Sequence, residues 1–297
     1  MIAAALAPTI PTIGGILAAM ALLALIETAV PLHARGRWNR FHFRPNVALT
    51  FLTFATNAFM NAALVMTLFW LEAKGFGLLR MVSLRPFTTG VITLVVLDFS
   101  FYVAHVAMHG VPGFWRYHRV HHADPAVDVT TSIRQHPGES VIRYAFMAAF
   151  AFAIGASPAA FAVYRVWSAL NGLLEHANIR LPLWLDGLLA LVTTWPYMHK
   201  IHHSRTPSEA NTNYGNIFSL FDRLFSTFTP SRRGTNVVYG LDGLDDPAIQ
   251  TTVGLLAMPF RDAYPSAAAR SWRRRPVRSN STATLGHCEP VVPSTPR

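Results

Sequence analysis

The sequence predicts an all-α, multi-pass membrane helical bundle with about four spanning helices and a histidine-rich helical cap on the cytoplasmic side. Of its 297 residues, 52% are hydrophobic and only 13% are charged. Soluble domains carry roughly 25% charged residues, so this composition favours a membrane protein. Several apolar stretches approach the roughly 20 residues that a spanning helix needs. No stretch is rich in strand-forming residues.

Three uninterrupted apolar stretches are long enough to cross a bilayer. They cover residues 9–30, 47–71 and 87–109. A fourth apolar region, 140–174, is broken at 155–158 by the sequence Gly-Ala-Ser-Pro. Because glycine and proline interrupt helices, this region predicts a helical hairpin with arms 141–154 and 159–173.

The polar and basic segments complete the predicted organisation. Residues 181–197 are apolar but contain Asp186, which predicts a helix buried or lying along the membrane interface. Residues 262–297 hold six arginines against two acids. In so apolar a chain this favours a solvated cytoplasmic tail over a nucleic-acid-binding segment. We therefore expect membrane helices in 1–86, a histidine-bearing domain in 87–261, with one short amphipathic helix at 235–261, and a basic disordered tail in 262–297.

The basic loops orient the chain in the membrane. The 31–46 loop carries four arginines, and the 73–86 loop carries three basic residues. The positive-inside rule therefore favours a cytoplasmic 31–46 loop. The third stretch then returns to the cytoplasm at His109, so we expect the histidine motifs to face that side.

Histidines form the clearest pattern in the chain. His105 and His109 are four residues apart, and an H-x-x-H-H motif occurs at 118–122 and again at 199–203. Because positions i, i+3 and i+4 share one helix face, we expect each cluster to aim its imidazoles at one point. Imidazole is a common ligand of iron, zinc and copper. The ten candidate ligands, enough for two ions, are His105, His109, His118, His121, His122, His136, His176, His199, His202 and His203.

Other ligand types are scarce in the sequence. The single cysteine, Cys288, lies in the polar tail, which excludes a cysteine-based metal site. Acidic residues are few near the histidines, so we do not expect bridging carboxylates. Asp98 and Tyr102 share the helix face of His105. Asp98 either orients an imidazole by hydrogen bonding or is a buried polar residue paired elsewhere.

These residues resemble the sterol desaturase/fatty acid hydroxylase superfamily of membrane di-iron oxygenases. The resemblance covers about residues 90–230. Acyl desaturases and alkane hydroxylases share the histidine scheme, but the 134–139 and 213–225 motifs favour this superfamily. Ser226 departs from the Gly-Thr that usually follows in the family. The motifs are DFxxYxxHxxxH at 98–109, WxxHxxHH at 115–122, RxHPxE at 134–139, EHANI at 175–179, HxxHHS at 199–204 and NYGNxxSxxDRLF at 213–225.

The resemblance implies a catalytic domain at 87–261 with two iron ions, which zinc could replace in purified protein. Such enzymes use O2 and two electrons to hydroxylate or desaturate a lipid. The chain has no G-x-G-x-x-G or C-x-x-C-H motif, so we expect a separate electron donor: a cytochrome b5-like protein, a ferredoxin or a reductase. Catalytic groups beyond the metal ligands are not identified. Candidates for orienting the ligands are Asp98, Tyr102, Asn213 and Asp222.

Two non-redox alternatives were weighed against this hypothesis. A zinc-dependent membrane hydrolase needs a general base beside the metal, and no H-E-x-x-H motif is present. A metal transporter or sensor would place histidines along a path through the membrane, whereas these are predicted to gather at one face. Both alternatives predict histidine-bound zinc and no O2-dependent chemistry.

Overall fold

A computed structural model of the chain describes residues 9–34 and 39–261. Within these residues the structure is helical and contains no strand longer than an isolated bridge. The prediction of an all-α bundle is confirmed. The α-helices are α1 Thr9–Ala29, α2 Asn39–Ala73, α3 Pro86–Gly110, α4 Pro112–His122, α5 Pro137–Ile154, α6 Pro158–His176, α7 Leu183–Leu189, α8 Pro196–His202, α9 Pro207–Ala210, α10 Leu220–Leu224 and α11 Thr252–Ala257.

Three helices are long and apolar enough to cross a membrane, judged by length and composition. They are Ile10–Ala29, His42–Arg80 and Pro86–Gly110. Helix α2 begins eight residues before the predicted stretch at 47. The predicted tail, 262–297, lies outside the described residues.

The predicted hairpin forms as two helices, α5 and α6. Gly155 ends α5 in the left-handed conformation with φ +67, and the Ser157 side chain then caps α6 by accepting from Ala160 N. The turn packs tightly on the loop after α2. A Cβ atom at Gly155 would lie 2.3 Å from the carbonyl oxygen of Phe76. Glycine is therefore required by both conformation and space.

Helix α7 presents an apolar face to the outside. Trp184 and Leu188 in this helix are mostly exposed, at 71% and 56% of their surface, while Asp186 is fully buried. Large exposed apolar side chains on one face of a short helix are typical of a membrane-interface helix. This arrangement fits the interfacial helix expected in 181–197.

Buried polar residues fasten the histidine-bearing helices to the membrane helices. The fully buried Arg134 side chain donates to Val120 O at the end of α4, to Asn46 Oδ1 in α2, and to Gln250 Oε1 near α11. Each of these charge-assisted bonds stabilises by about 1.5–3 kcal/mol. Arg134 thus fixes the position of α4 relative to three other parts of the chain.

Candidate metal centre

The histidines lie at or near the ends of four helices, and these ends meet. Pro112 starts α4 directly after α3, so the chain reverses and places the end of α4 beside the last turns of α3. Helix α8 starts at Pro196 and packs against the end of α6. The histidines of α3, α4, α6 and α8 therefore meet at one end of the bundle.

Nine of the ten candidate histidines form two buried groups. Within each group, the ligand nitrogens all lie within 4.8 Å of one another. The first histidine group contains five residues and the second contains four. The first group is His105, His109, His118, His122 and His202, and the second group is His121, His176, His199 and His203.

Each H-x-x-H-H motif divides between the two groups, which corrects the expectation that each cluster aims at one point. On a helix, residue i+4 lies about 40° from residue i, whereas i+3 lies about 60° away on the other side. His118 and His122 accordingly join the first group and His121 the second. In α8 the division is reversed, because His202 joins the first group.

The ring nitrogens are arranged as metal ligands. The Nδ1 atoms of His105, His176 and His202 lie 2.8, 2.7 and 2.8 Å from the carbonyl oxygens of Tyr214, Gly172 and Thr212. A carbonyl oxygen only accepts, so each Nδ1 carries the proton and each Nε2 presents a lone pair. His202 Nε2 is buried without a hydrogen-bond partner.

The spacing of these lone pairs fits a cation. The Nε2 atom of His176 lies 3.0 Å from that of His121, 3.0 Å from that of His199 and 3.1 Å from that of His203. In the first group, His118 Nε2 lies 3.1 Å from His105 Nε2. Two nitrogens bound at about 2.1 Å from one ion, at right angles, are about 3 Å apart. Both groups therefore fit one metal ion each.

Burial keeps the imidazoles in the form that binds metal. It lowers the pKa of His202 to about 4 and that of His121 to about 3. Burial also holds the pKa of His118, His122 and His203 well below the ordinary value. These side chains are neutral at pH 7, as metal ligation requires.

Two buried carboxylates contact the groups, and neither was predicted from the sequence. Glu139 Oε1 lies 3.1 Å from His118 Nδ1 and 3.3 Å from an Arg143 nitrogen. Glu175 Oε1 lies 3.7 Å from His199 Nε2, and its other oxygen is buried without a partner. Glu139 is 21 residues from His118 and Glu175 is 24 residues from His199, although Glu175 also directly precedes His176 in sequence; the two acids occur in the motifs at 134–139 and 175–179.

His136 lies outside both groups, so the structure does not bring this predicted ligand together with the other nine. Its Nδ1 accepts from Gly138 N at 2.9 Å, so the side chain caps the start of α5. The ring packs against Tyr117 and Phe260, with centroid distances of 5.2 and 6.1 Å. A histidine followed by proline at a helix start thus has a structural role here.

Asp98 and Asp222 hold a loop rather than an imidazole. Asp98 accepts from the backbone N–H groups of Ile217 and Phe218 at 3.2 and 2.9 Å. Asp222 accepts from those of Tyr214 and Gly215, both at 2.8 Å. Of the two alternatives left open for Asp98, the structure therefore favours the buried residue paired elsewhere.

Tyr102 and Asn213 stabilise the same loop. The Tyr102 hydroxyl lies 2.9 Å from Thr227 Oγ1, and Asn213 Nδ2 donates to Met198 O at 2.9 Å. The loop delivers the Tyr214 carbonyl oxygen to His105 Nδ1. All four candidate residues therefore act on the ligands through the loop.

Lys200 was not predicted and also acts at this end of the bundle. Its fully buried ammonium donates to Val127 O at 2.7 Å and to His176 O at 2.5 Å. Burial lowers its pKa to about 8. The side chain links α8, which carries His199 of the second group, to the backbone of His176 in the same group.

A cavity leads from the histidines toward the membrane-facing helices. Its volume is about 230 Å³, and its walls come from α1, α2, α3, α4, α5, α6 and α8. His105, His118, His121 and His176 line its inner end. Ala162 lines its outer part and is exposed on the surface of α6. The candidate metal centre is therefore reached from between apolar helices.

A histidine-rich metal site at the end of apolar helices, with a cavity opening among them, defines a class of membrane metal proteins. Comparison with known protein families narrows this class further. A family model described as fatty acid hydroxylase matches residues 90–227. The histidine-bearing part of the chain is thus similar to the fatty acid hydroxylase family, as the motifs predict.

The names of similar proteins describe enzymes that act on lipids. An alkylglycerol monooxygenase of Caenorhabditis elegans is 32% identical over 157 residues, 52% of this chain and 29% of that protein. An ornithine lipid hydroxylase of Rhizobium tropici is 30% identical over 170 residues, 57% of this chain and 50% of that protein. The matched region thus spans half or less of these relatives. No solved structure matches significantly.

Proposed function

We propose that this protein is a membrane-bound di-iron oxygenase that hydroxylates or desaturates a lipid. The observation that carries the proposal is the pair of buried histidine groups at the inner end of a cavity that opens among apolar helices. The lipid monooxygenase and hydroxylase among the relatives support the reaction class. The superfamily itself supports iron as the active metal.

The protein's residues supply ligands, orientation and access. Nine histidines would hold the two ions, and the carbonyl oxygens of Tyr214, Thr212 and Gly172 fix three of them as Nδ1–H tautomers. Two iron ions, when bound, supply the O2 activation that breaking an unactivated C–H bond requires. Glu175 lines the cavity beside the second group and offers an oxygen ligand or a proton acceptor there.

Burial of the site separates the reaction from water. All nine histidines in the two groups are at most 4% exposed. An excluded-water site favours oxidation of the substrate over loss of oxidising equivalents to solvent. The lipid would enter from the bilayer, and electrons would arrive from a separate donor at the cytoplasmic side: a cytochrome b5-like protein, a ferredoxin or a reductase.

Lipid mass spectrometry tests the proposal most simply. We expect cells that express the protein to accumulate a lipid with one added oxygen atom or two fewer hydrogens, and cells with the His202→Ala variant not to. A single bound zinc with no O2-dependent change in any lipid would instead support a non-redox hydrolase, transporter or sensor. Zinc content alone does not discriminate, because an all-nitrogen site also accepts zinc.

A further inference from the structure

An arginine side chain lines the cavity that leads to the histidines, and it has no acidic partner among the described residues. Arg165 lies in α6, lines the cavity and is half-buried. Its guanidinium carbon is 5.0 Å from the ring centroid of Tyr144. Across the described part of the chain, no carboxylate forms an ion pair with it. Arg143, by contrast, is paired with Glu139 at 3.3 Å.

The neighbours of Arg165 on the outer side of α6 are apolar. Val163, Val166 and Trp167 are 58%, 39% and 44% exposed on the same helix. A half-buried guanidinium group that has no carboxylate partner loses part of its hydration at a cost in free energy. Ionisable residues retained in such places mark substrate pathways. A ligand with a negative charge would offset this cost.

Two amides complete a polar lining at this part of the cavity. Asn57 and Asn61 are four residues apart in α2, so they share one helix face. Both line the cavity, and both have side-chain oxygens that are buried without a hydrogen-bond partner. Tyr144 joins them, since its hydroxyl donates to Asn57 O at 3.3 Å. The unmatched amide oxygens can accept from a hydrogen-bond donor on a ligand in the cavity.

The distance between this polar lining and the histidines determines which part of a bound lipid reaches the metal centre. Arg165 and His176 are eleven residues apart in one helix, which corresponds to about 16 Å along its axis. Both residues line the same cavity. A lipid held by its head group at Arg165 would therefore present a carbon of its chain, rather than the head group, to the metal centre.

We propose that Arg165, Asn57 and Asn61 form a binding site for the acidic head group of the lipid substrate, a carboxylate or a phosphate with a neighbouring hydroxyl or amide donor. The guanidinium group matches a carboxylate or phosphate with two parallel hydrogen bonds. The amide oxygens accept from the neighbouring donor. This inference rests on the proposed function, because it names the substrate class of the same cavity.

Equilibrium binding without turnover tests this site separately. The full chain, loaded with iron, is placed in phosphatidylcholine nanodiscs under anaerobic conditions with no reductant. Displacement of a labelled lipid then compares oleic acid with its methyl ester, and lysophosphatidic acid with monoacylglycerol. We expect at least one acid to bind about tenfold more tightly than its neutral counterpart, which is about 1.4 kcal/mol. The pair with the larger ratio identifies the head group as carboxylate or phosphate.

Variants locate the preference on the protein. Arg165→Met should remove the preference for the acid, and Arg165→Lys should keep part of it because the charge remains. Arg180→Met replaces an exposed arginine outside the cavity and should leave the preference unchanged. Iron content and a monodisperse elution profile establish that each variant is folded. If Arg165→Met does not fold, the site is tested by the ratio of acid to neutral lipid affinity in the wild type and in Arg165→Lys.

Two results would overturn the proposed head-group site: equal binding of acid and neutral lipid by the wild type, or an undiminished preference in Arg165→Met. Because binding is measured without O2, the outcome is independent of the oxygenase proposal. Acid preference without any lipid oxidation would refute only the proposed function. Oxidation of lipids without acid preference would refute only the head-group site.

Discussion

Replacing Asn211 by alanine should weaken metal binding in the first histidine group about 10- to 100-fold. The Asn211 Oδ1 atom lies 3.1 Å from His109 Nδ1, whose Nε2 is 3.2 Å from His122 Nε2. The bond orients the imidazole and keeps its proton on Nδ1. Without it, the ring can rotate or change tautomer and withdraw one of five ligands.

The size of the effect follows from the hydrogen bond between Asn211 and His109. A hydrogen bond between neutral groups contributes about 0.5–1.5 kcal/mol to stability, so the fold should tolerate its loss. The loss in metal affinity corresponds to about 1.4–2.8 kcal/mol. The change should therefore appear mainly in metal binding, with only a small decrease in unfolding temperature.

Competition with a chelator of known affinity measures the effect. Bound metal per chain is determined as the free metal concentration is lowered, for the wild type and each variant. Asn211→Asp keeps an acceptor oxygen and should retain most of the affinity. Asn236→Ala removes an exposed asparagine outside the site and should retain all of it. Unchanged affinity in a folded Asn211→Ala protein would show that His109 needs no such partner, and the ligand geometry inferred here would be wrong.

Three further predictions concern the ligand set, the loop and acid. His202→Ala should abolish lipid oxidation and lower metal content, whereas His136→Ala should preserve both; loss of metal in the His136 variant would restore it to the ligand set. Ser226→Gly should raise the unfolding free energy by about 1 kcal/mol, because Ser226 has φ +59; Ser208→Gly, exposed in the right-handed α9, should lower it. Thermal unfolding of metal-free protein should become easier as the pH falls from 6.5 through 4, because burial lowers the pKa of His202 to about 4 while the unfolded chain already binds a proton near pH 6.5. The pKa difference of His202 alone should lower the free energy of unfolding by about 3 kcal/mol over this pH interval. An unchanged melting temperature between pH 6.5 and 4 would contradict a buried, neutral His202 imidazole.

The sequence was most informative where a helical period and a chemical type coincide. The long apolar stretches predicted the spanning helices, and the Gly-Ala-Ser-Pro break at 155–158 predicted the hairpin. Histidine spacing predicted which residues gather, because ligands on neighbouring turns share a helix face. The departure at Ser226 also has a structural counterpart, since its left-handed backbone is the conformation that glycine adopts most readily.

Long-range contacts explain what the sequence did not predict. Glu139 contacts His118, and Glu175 contacts His199, from a different helix, and sequence spacing does not predict contacts between helices. The division of each H-x-x-H-H motif depends on contacts with histidines of other helices, which form a second group beside the first. His136 resembled a ligand by residue type, but the proline that follows it makes it a helix cap. Arg165 lacked any motif, and only its place in the cavity gives it significance.

The central claim is that two histidine groups hold two iron ions that oxidise a lipid. Iron content after anaerobic reconstitution, followed by exposure to O2 with a reductant and a membrane lipid extract, tests it most directly. We predict two iron ions per chain and an O2-dependent gain of oxygen or loss of hydrogen in one lipid class. One ion or fewer per chain, or two ions with no O2-dependent change in any lipid, would contradict it.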